Sequence, residues 1–403
     1  MIKKSSKLDH VGYDIRGPVL DLADEMAEKG IEILKLNTGN PAPFGFDAPD
    51  EMIHGLIAGI RPAQGYSESK GILSAREAIA AYCAEKGILG VTPNDIYTGN
   101  GISELILLSM QALLEPGDEI LVPAPDYPLW TAAITLAGGV AVTYVCDEQA
   151  EWNPDIADMA AKITPHTRAI VSINPNNPTG ALYPKHLLLQ IAELARKHDL
   201  ILFSDEIYDR LVMDGHEHHA LAALAPDLFT VTFNGLSKSH LVAGFRAGWM
   251  SLSGNKSNAK DYIQGLNMLT SMRLCSNVLA QAVIPYALAD TETPAALVRP
   301  GGRIYEQREF ITNAVTAIPG LSVVKPKAAF YLFPKMDSKR WNITNDEKFA
   351  VDFLREKHVL ITQGSGFHWP QPNHFRIVFL PDMHTLEQLA ARLADFLNGY
   401  WQT

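Results

Sequence analysis

Lys238 closes the stretch Gly235-Leu236-Ser237-Lys238, which follows an apolar run, and Arg246 stands eight positions further on. A lysine in such a Gly/Ser turn can serve as a Schiff-base nucleophile. Ser237 and the forked donors of Arg246 can hold a phosphate. A surface lysine in a turn is the plainer alternative. In Ser204-Asp205-Glu206-Ile207-Tyr208, Asp205 ends another apolar run. Its carboxylate is expected to be half-buried there and to need a cationic or hydrogen-bonding partner. A protonated pyridine nitrogen would serve, and Tyr208 could donate to a phenolate oxygen of the same ring. The competing reading is an Asp that caps a helix.

Three further stretches add binding groups. Asn174-Pro175-Asn176-Asn177-Pro178-Thr179-Gly180 packs two prolines and three asparagines into seven residues. It is a fixed turn that can hold side-chain amides in place, or simply a turn. Gly99-Asn100-Gly101-Ile102-Ser103-Glu104 precedes a helical pattern, so its free N–H groups and the Ser103 hydroxyl form an anion site. It lacks the third glycine of a dinucleotide fingerprint. Arg376 lies inside the apolar run Phe375 to Leu380 and must find an anion, either an internal carboxylate or that of a substrate. The histidines of the polar stretch Asp214 to His219 lack helical spacing and are expected in a solvated turn, so no metal site is expected. Asp209-Arg210 is expected to be a surface pair, and Trp369 a packing residue.

The elements that must position these residues alternate. Helical spacing covers Val19 to Ala27, Leu73 to Lys86, Ser103 to Leu114 and Leu187 to His198. Short apolar runs, Ile31 to Leu36, Glu119 to Val122, Ala169 to Ile173, Leu200 to Phe203 and Phe229 to Phe233, read as strands. Apolar strands separated by helices imply a mostly parallel sheet covered on both faces, and ligands of such sheets sit outside the carboxyl ends of the strands. The unusual polar residues cluster at those ends. After about residue 290 come a helix from Ile304 to Ala317, strands at Leu321 to Val324, Phe330 to Phe333 and Phe375 to Leu380, and a last helix from Leu386 to Leu397. The expected organisation is an N-terminal arm (1–45) that joins a smaller α+β domain (291–403), with a large domain (46–290) between them in sequence.

The 403 residues are 47% hydrophobic and 20% charged, ordinary for a globular chain. The net charge of −11 argues against a nucleic-acid partner. Three dispersed cysteines argue against disulfides and a thiolate zinc site, and point to a reducing cytoplasm. No signal-peptide pattern or apolar run of membrane-spanning length is expected. Taken together, a lysine, a phosphate cup, a buried acid, a phenol donor and a carboxylate fork are the parts of a pyridoxal phosphate enzyme acting on an amino acid.

The set Tyr66, Gly101-Ile102-Ser103, Tyr127, Asn177, Asp205, Tyr208, Ser237-Lys238, Arg246 and Arg376 resembles, in order and spacing, the class I/II aminotransferases of fold-type I. The stretches from Tyr13 to Pro18, Asn40 to Phe46 and Pro123 to Trp130 are similar to those of bacterial glutamate–pyruvate (alanine) aminotransferases. The resemblance implies an α/β fold with a mostly parallel seven-stranded sheet and pyridoxal 5'-phosphate as cofactor. It implies that Lys238 bonds the cofactor and shuttles the proton, Asp205 faces the ring nitrogen, and Tyr208 and Asn177 meet the ring oxygen. Tyr127 would stack on the ring. Gly101, Ile102, Ser103, Ser237 and Arg246 would hold the phosphate, joined by Tyr66 from a second subunit of a homodimer. Arg376 would fork the substrate carboxylate beside Gly39 and Asn177. Arg16 or Arg273 would meet the distal carboxylate of glutamate, unless both are structural. The implied reaction passes an amino group between alanine and 2-oxoglutarate by a ping-pong mechanism, yielding pyruvate and glutamate. Another amino donor such as valine or an aromatic amino acid, or C–S β-elimination, would use the same fold. A ligand-sensing transcription regulator would need a DNA-binding segment for which there is no room before Tyr13.

Overall fold

The computed structural model describes residues 2–11 and 17–403. An eight-stranded sheet forms its centre. Across the sheet the strands run Ile96–Asn100, Ala247–Ser253, Thr230–Gly235, Ile201–Asp205, Thr167–Ile173, Glu119–Ala124, Val140–Asp147 and Asn153–Pro154. The five from Thr230–Gly235 to Val140–Asp147 are mutually parallel. Ala247–Ser253 is antiparallel to both its neighbours, and the two-residue Asn153–Pro154 adds an antiparallel edge to the seven longer strands. The central strands are buried along almost their whole length, as a sheet covered by helices on both faces requires.

Register brings the polar ends together. Ile173 is opposite Asp205, and Asp205 is opposite Phe233. The turns that follow these three strands therefore open at one level, carrying Asn174 to Asn177, Asp205 to Tyr208, and Ser237-Lys238. A row of glycines crosses the sheet beside them, with Gly248 opposite both Gly99 and Gly235. A Cβ on Gly248 would lie 2.6 Å from the Ile102 nitrogen. The bare backbone lets the first turn of the helix Ile102–Leu113 rest directly on the sheet.

Helices fall where periodicity placed them, at Pro18–Glu28, Leu73–Glu85, Ile102–Leu113, Lys185–His198, Arg303–Thr316 and Met383–Gly399. The strand expected over Ile31 to Leu36 shrinks to Leu34–Lys35, because its only ladder partner is the two-residue strand Val359–Leu360. The strands Tyr331–Leu332 and Thr362–Gln363 flank Phe375–Val378, forming the small sheet that carries Arg376.

Candidate active site

A cavity of about 250 Å³ opens at the carboxyl ends of the parallel strands. It is lined by residues from all the singled-out stretches: Gly39, Ile102, Ser103, Tyr127, Asn177, Asp205, Tyr208, Ser237, Lys238, Arg246 and Arg376. Larger surface grooves exist, but one of about 1100 Å³ lies at the opposite ends of the strands. Arg168 and Arg196 on its rim are already paired with Asp118 and Asp227.

Asp205 is 2% exposed, deeper than the half-buried position expected. It accepts hydrogen bonds from the Trp130 indole (3.1 Å) and the Ile207 amide (3.3 Å). Burial pushes its carboxyl up to about 6, the Trp130 N–H offsetting only part of the cost. Among the described residues no cation pairs with it. It caps no helix, because the chain continues in turns rather than a helix.

The same cavity holds the mirror case. The Arg376 guanidinium is buried and donates to Asn177 Oδ1 (2.9 Å) and to the Asn37 carbonyl. It lies between the rings of Tyr331 and Phe367, 4.7 and 4.6 Å from their centroids. No described carboxylate pairs with it, and its Nε has no partner among the described residues. The internal salt bridge is thus not what the strand supplies. Burial pulls the pKa of this guanidinium down, so a carboxylate ligand would recover energy that the protein alone leaves unspent.

In the same cavity, Lys238 donates to the Gly39 carbonyl at 2.7 Å. Tyr208 and Tyr331 share a hydroxyl–hydroxyl hydrogen bond of 2.7 Å. The Tyr208 hydroxyl is held well above its usual pKa, first by burial and then by the Tyr331 hydroxyl, and so stays protonated. At the phosphate end, Arg246 spans Ser237 Oγ (3.4 Å), the Ala243 carbonyl (2.9 Å) and the Asn100 carbonyl (3.3 Å). Gly101, with φ at +72°, receives its side: any Cβ there would collide with the guanidinium. The 12-residue helix from Ile102 opens with uncapped amides beside the Ser103 hydroxyl. Such a donor set, with no carboxylate among the described partners of Arg246, fits a phosphate.

Not every expected residue joins the cavity. Arg273 pairs with Glu104 at 2.8 Å, donates to the Ser69 and Thr98 carbonyls, and does not line this chain's cavity. Tyr66 is 82% exposed and away from its own chain's cavity. Arg16, with the rest of the Tyr13 to Arg16 stretch, lies outside the described residues. Two polar stretches are corrected. Asp209 is no surface residue: it is buried against Lys86 (3.1 Å) and the Tyr82 hydroxyl, while Arg210 turns to the Leu288 and Asp290 carbonyls. His218 is not solvated either. It is buried and bonded to the Asn174 carbonyl at 3.1 Å, and burial lowers its pKa to about 4. Glu206, Asp209 and His218 could together face a metal ion, but the Lys86 ammonium already supplies their cation. Trp369 packs as expected, against Trp152 and His374.

Reasoning from the sequence missed Trp130 and Tyr331. Trp130 stands three residues after Tyr127, and its indole N–H was a readable donor. Tyr331 needed the strand register.

A fold of this kind, with these groups at the strand ends, defines a pyridoxal phosphate transferase, and the chain belongs to the aminotransferase class I and II family, whose model matches residues 31–393. Members of this family depend on pyridoxal phosphate. The chain is 57% identical to the glutamate-pyruvate aminotransferase AlaA of Escherichia coli K12, over all of this chain and 99% of that one. It is 50% identical to the alanine aminotransferase of Mycobacterium tuberculosis H37Rv, over 99% of this chain and 93% of that one. A crystal structure of an aminotransferase from E. coli superposes with a TM-score of 0.99 at 57% identity, each chain covered completely.

Proposed function

We propose that this protein is a pyridoxal phosphate-dependent transaminase that moves the amino group between alanine and 2-oxoglutarate. The observation that carries the reading is one cavity lined by a buried carboxylate and a buried guanidinium, each without a described counter-charge, and by a lysine. The names of the relatives supply the substrate pair.

The bound cofactor supplies an electron sink for the pair left at Cα when its proton departs. Asp205 keeps the ring nitrogen protonated and is itself drawn back to the ionised form by that charge. Tyr208 and Asn177 meet the ring oxygen. Ile102, Ser103, Ser237 and Arg246 anchor the phosphate. Arg376 grips the α-carboxylate as a two-point fork, which turns Cα toward Lys238. Lys238 would take the Cα proton and hold it at its Nζ. With Arg273 committed to Glu104, we assign the distal carboxylate of glutamate to Arg16.

The site is proposed to be shared in a homodimer, with Tyr66 reaching the phosphate of the second subunit. Exposed apolar side chains occur on the neighbouring segments. Ile57 and Ile60 precede Tyr66, and the Arg273–Ser69 bond brings Met272 and Leu274 alongside. Burying such a face is what a stable dimer does. The division into an arm (1–45), a large domain (46–290) and a small domain (291–403) is kept as a proposal, supported by the pairing of Leu34–Lys35 with Val359–Leu360. Among the described residues no helix is long and apolar enough to cross a membrane; we place the protein in the cytoplasm, without a nucleic-acid partner.

A substrate panel tests the reading. Alanine, valine, phenylalanine and cystathionine are offered with 2-oxoglutarate or pyruvate as acceptor. Alanine with 2-oxoglutarate should be preferred at least about tenfold, the discrimination a side-chain pocket gives. Faster turnover of valine or phenylalanine, or acceptor-free release of pyruvate from cystathionine, would contradict it.

A further inference from the structure

Tyr331 is buried in the small sheet, directly opposite Val378 in an antiparallel pair. Side chains two apart on a strand share a face. Arg376 therefore stands diagonally beside Tyr331, and its guanidinium lies 4.7 Å from the ring centroid. The ring's hydroxyl end meets the Tyr208 hydroxyl at 2.7 Å. Gly39 closes the remaining side, since any Cβ there would collide with the Tyr331 oxygen. The hydroxyl is thus boxed in by the arm, the small sheet and the turn after Asp205.

A phenol has one hydrogen to donate and lone pairs to accept with. When Tyr208 spends its hydrogen on the cofactor's ring oxygen, it can only accept from Tyr331. From this count, and resting on the function proposed above, we infer that Tyr331 is a positioning residue: its hydroxyl donates to Tyr208 Oη and so commits the Tyr208 hydrogen to the ring oxygen. A donor chain of this kind strengthens each of its bonds. The contact also joins the carboxylate fork to the ring-oxygen donor through one side chain, because the same Tyr331 ring covers Arg376.

The sign of the effect follows from charge. A proton on the lysine-linked nitrogen neutralises the neighbouring ring oxygen. When that proton leaves, the oxygen's negative charge depends on outside donors. Weakening the Tyr208 donation therefore favours the protonated form and raises the pH at which the visible band of the bound cofactor changes.

The test is a double-mutant cycle on the loaded enzyme, read by absorbance titration over pH rather than by turnover. Tyr331→Phe keeps the ring over Arg376 and removes only the hydroxyl. It should raise the midpoint by about one pH unit, the size of one neutral hydrogen bond. In the Tyr208→Phe background the same substitution should move the midpoint by less than about 0.2 unit, the non-additivity expected when the group that mediates the effect is gone. Affinity for propionate, a non-reactive carboxylate, should stay within about twofold of the parent, since the fork is intact. Tyr331→Met, which removes ring and hydroxyl, should reproduce the midpoint shift with the same dependence on Tyr208 and weaken propionate as well. An unmoved midpoint in Tyr331→Phe, or an equal shift in both backgrounds, overturns the inference. A parent protein with no lysine-linked visible band would instead overturn the proposed function, so the two failures are distinct.

Discussion

Two groups of buried charge lie back to back in this molecule, separated by one peptide bond. On the cavity side, Asp205 and Arg376 are buried with neutral partners only. On the far side, Glu206, Asp209 and His218 are buried with Lys86, Tyr82 and Ser204. Burial pushes Glu206 up to about 7. Burial works most strongly against the Asp209 carboxylate, but Lys86, His218 and the hydrogen bonds of Tyr82 and Asn234 together outweigh it and keep the group below its usual range. The second cluster has its counter-charge within the chain, in Lys86. The first is complete only with a cation for Asp205 and an anion for Arg376. A buried charge without its counter-charge is a cost to folding, and a protein that keeps two of them around one cavity holds them for a ligand. The difference separates function from structure more sharply than polarity does, since both groups consist of buried ionisable residues.

The contrast predicts opposite signatures. The largest effect falls on the lysine that shares the cavity with the two unpaired charges. Lys238→Ala should cost at least about 10²–10⁴-fold in turnover, the share of a positioned proton shuttle, while the apo protein stays folded. Arg376→Ala comes next. It should lower kcat/KM for alanine by about 10²–10³-fold, equivalent to about 3–4 kcal/mol of a cut buried pair, with cofactor still bound. Asp205→Asn should weaken cofactor binding yet stabilise the apo protein, and here the sign depends on pH. A carboxyl raised to about 6 binds more protons folded than unfolded, so its stabilising share is present below about pH 4 and is lost as pH rises through 6. The gain of Asp205→Asn over parent should therefore be near zero at pH 4 and reach about 2–3 kcal/mol above pH 6. His218, lowered to about 4, has the opposite slope. For that reason the difference between variants is the quantity to measure by denaturant titration. Lys86→Met should do the reverse of Asp205→Asn, destabilising by about 3 kcal/mol because Asp209 is left unpaired, with little change in KM. The smallest effect is expected for Arg273→Met: a loss of about 1–2 kcal/mol for a part-buried pair with Glu104, and unchanged KM for both alanine and glutamate. A rise in KM for glutamate alone would return Arg273 to the cavity.

Much of the cavity was legible before any coordinates, because its chemistry sits in short runs just after apolar strands. Asn177, Asp205, Tyr208 and Lys238 could be read from neighbours in sequence. What could not be read depends on pairing across distance. Tyr331 matters through its register with the Arg376 strand and through Tyr208, 123 positions away. Asp209 and His218 read as surface residues in the sequence, where polarity is a poor guide to exposure; Tyr82 and Lys86, at the end of the distant helix Leu73–Glu85, cover Asp209. The strand Ala247–Ser253 carries glycine, serine and methionine in place of β-branched residues, so propensity gave no sign of it. Its small residues are the ones that let the phosphate-end helix approach.

The most direct measurement is covalent. Borohydride reduction of the loaded enzyme followed by peptide mapping should place a pyridoxyl phosphate mass on Lys238 alone. Label on any other lysine, or none, would contradict the account.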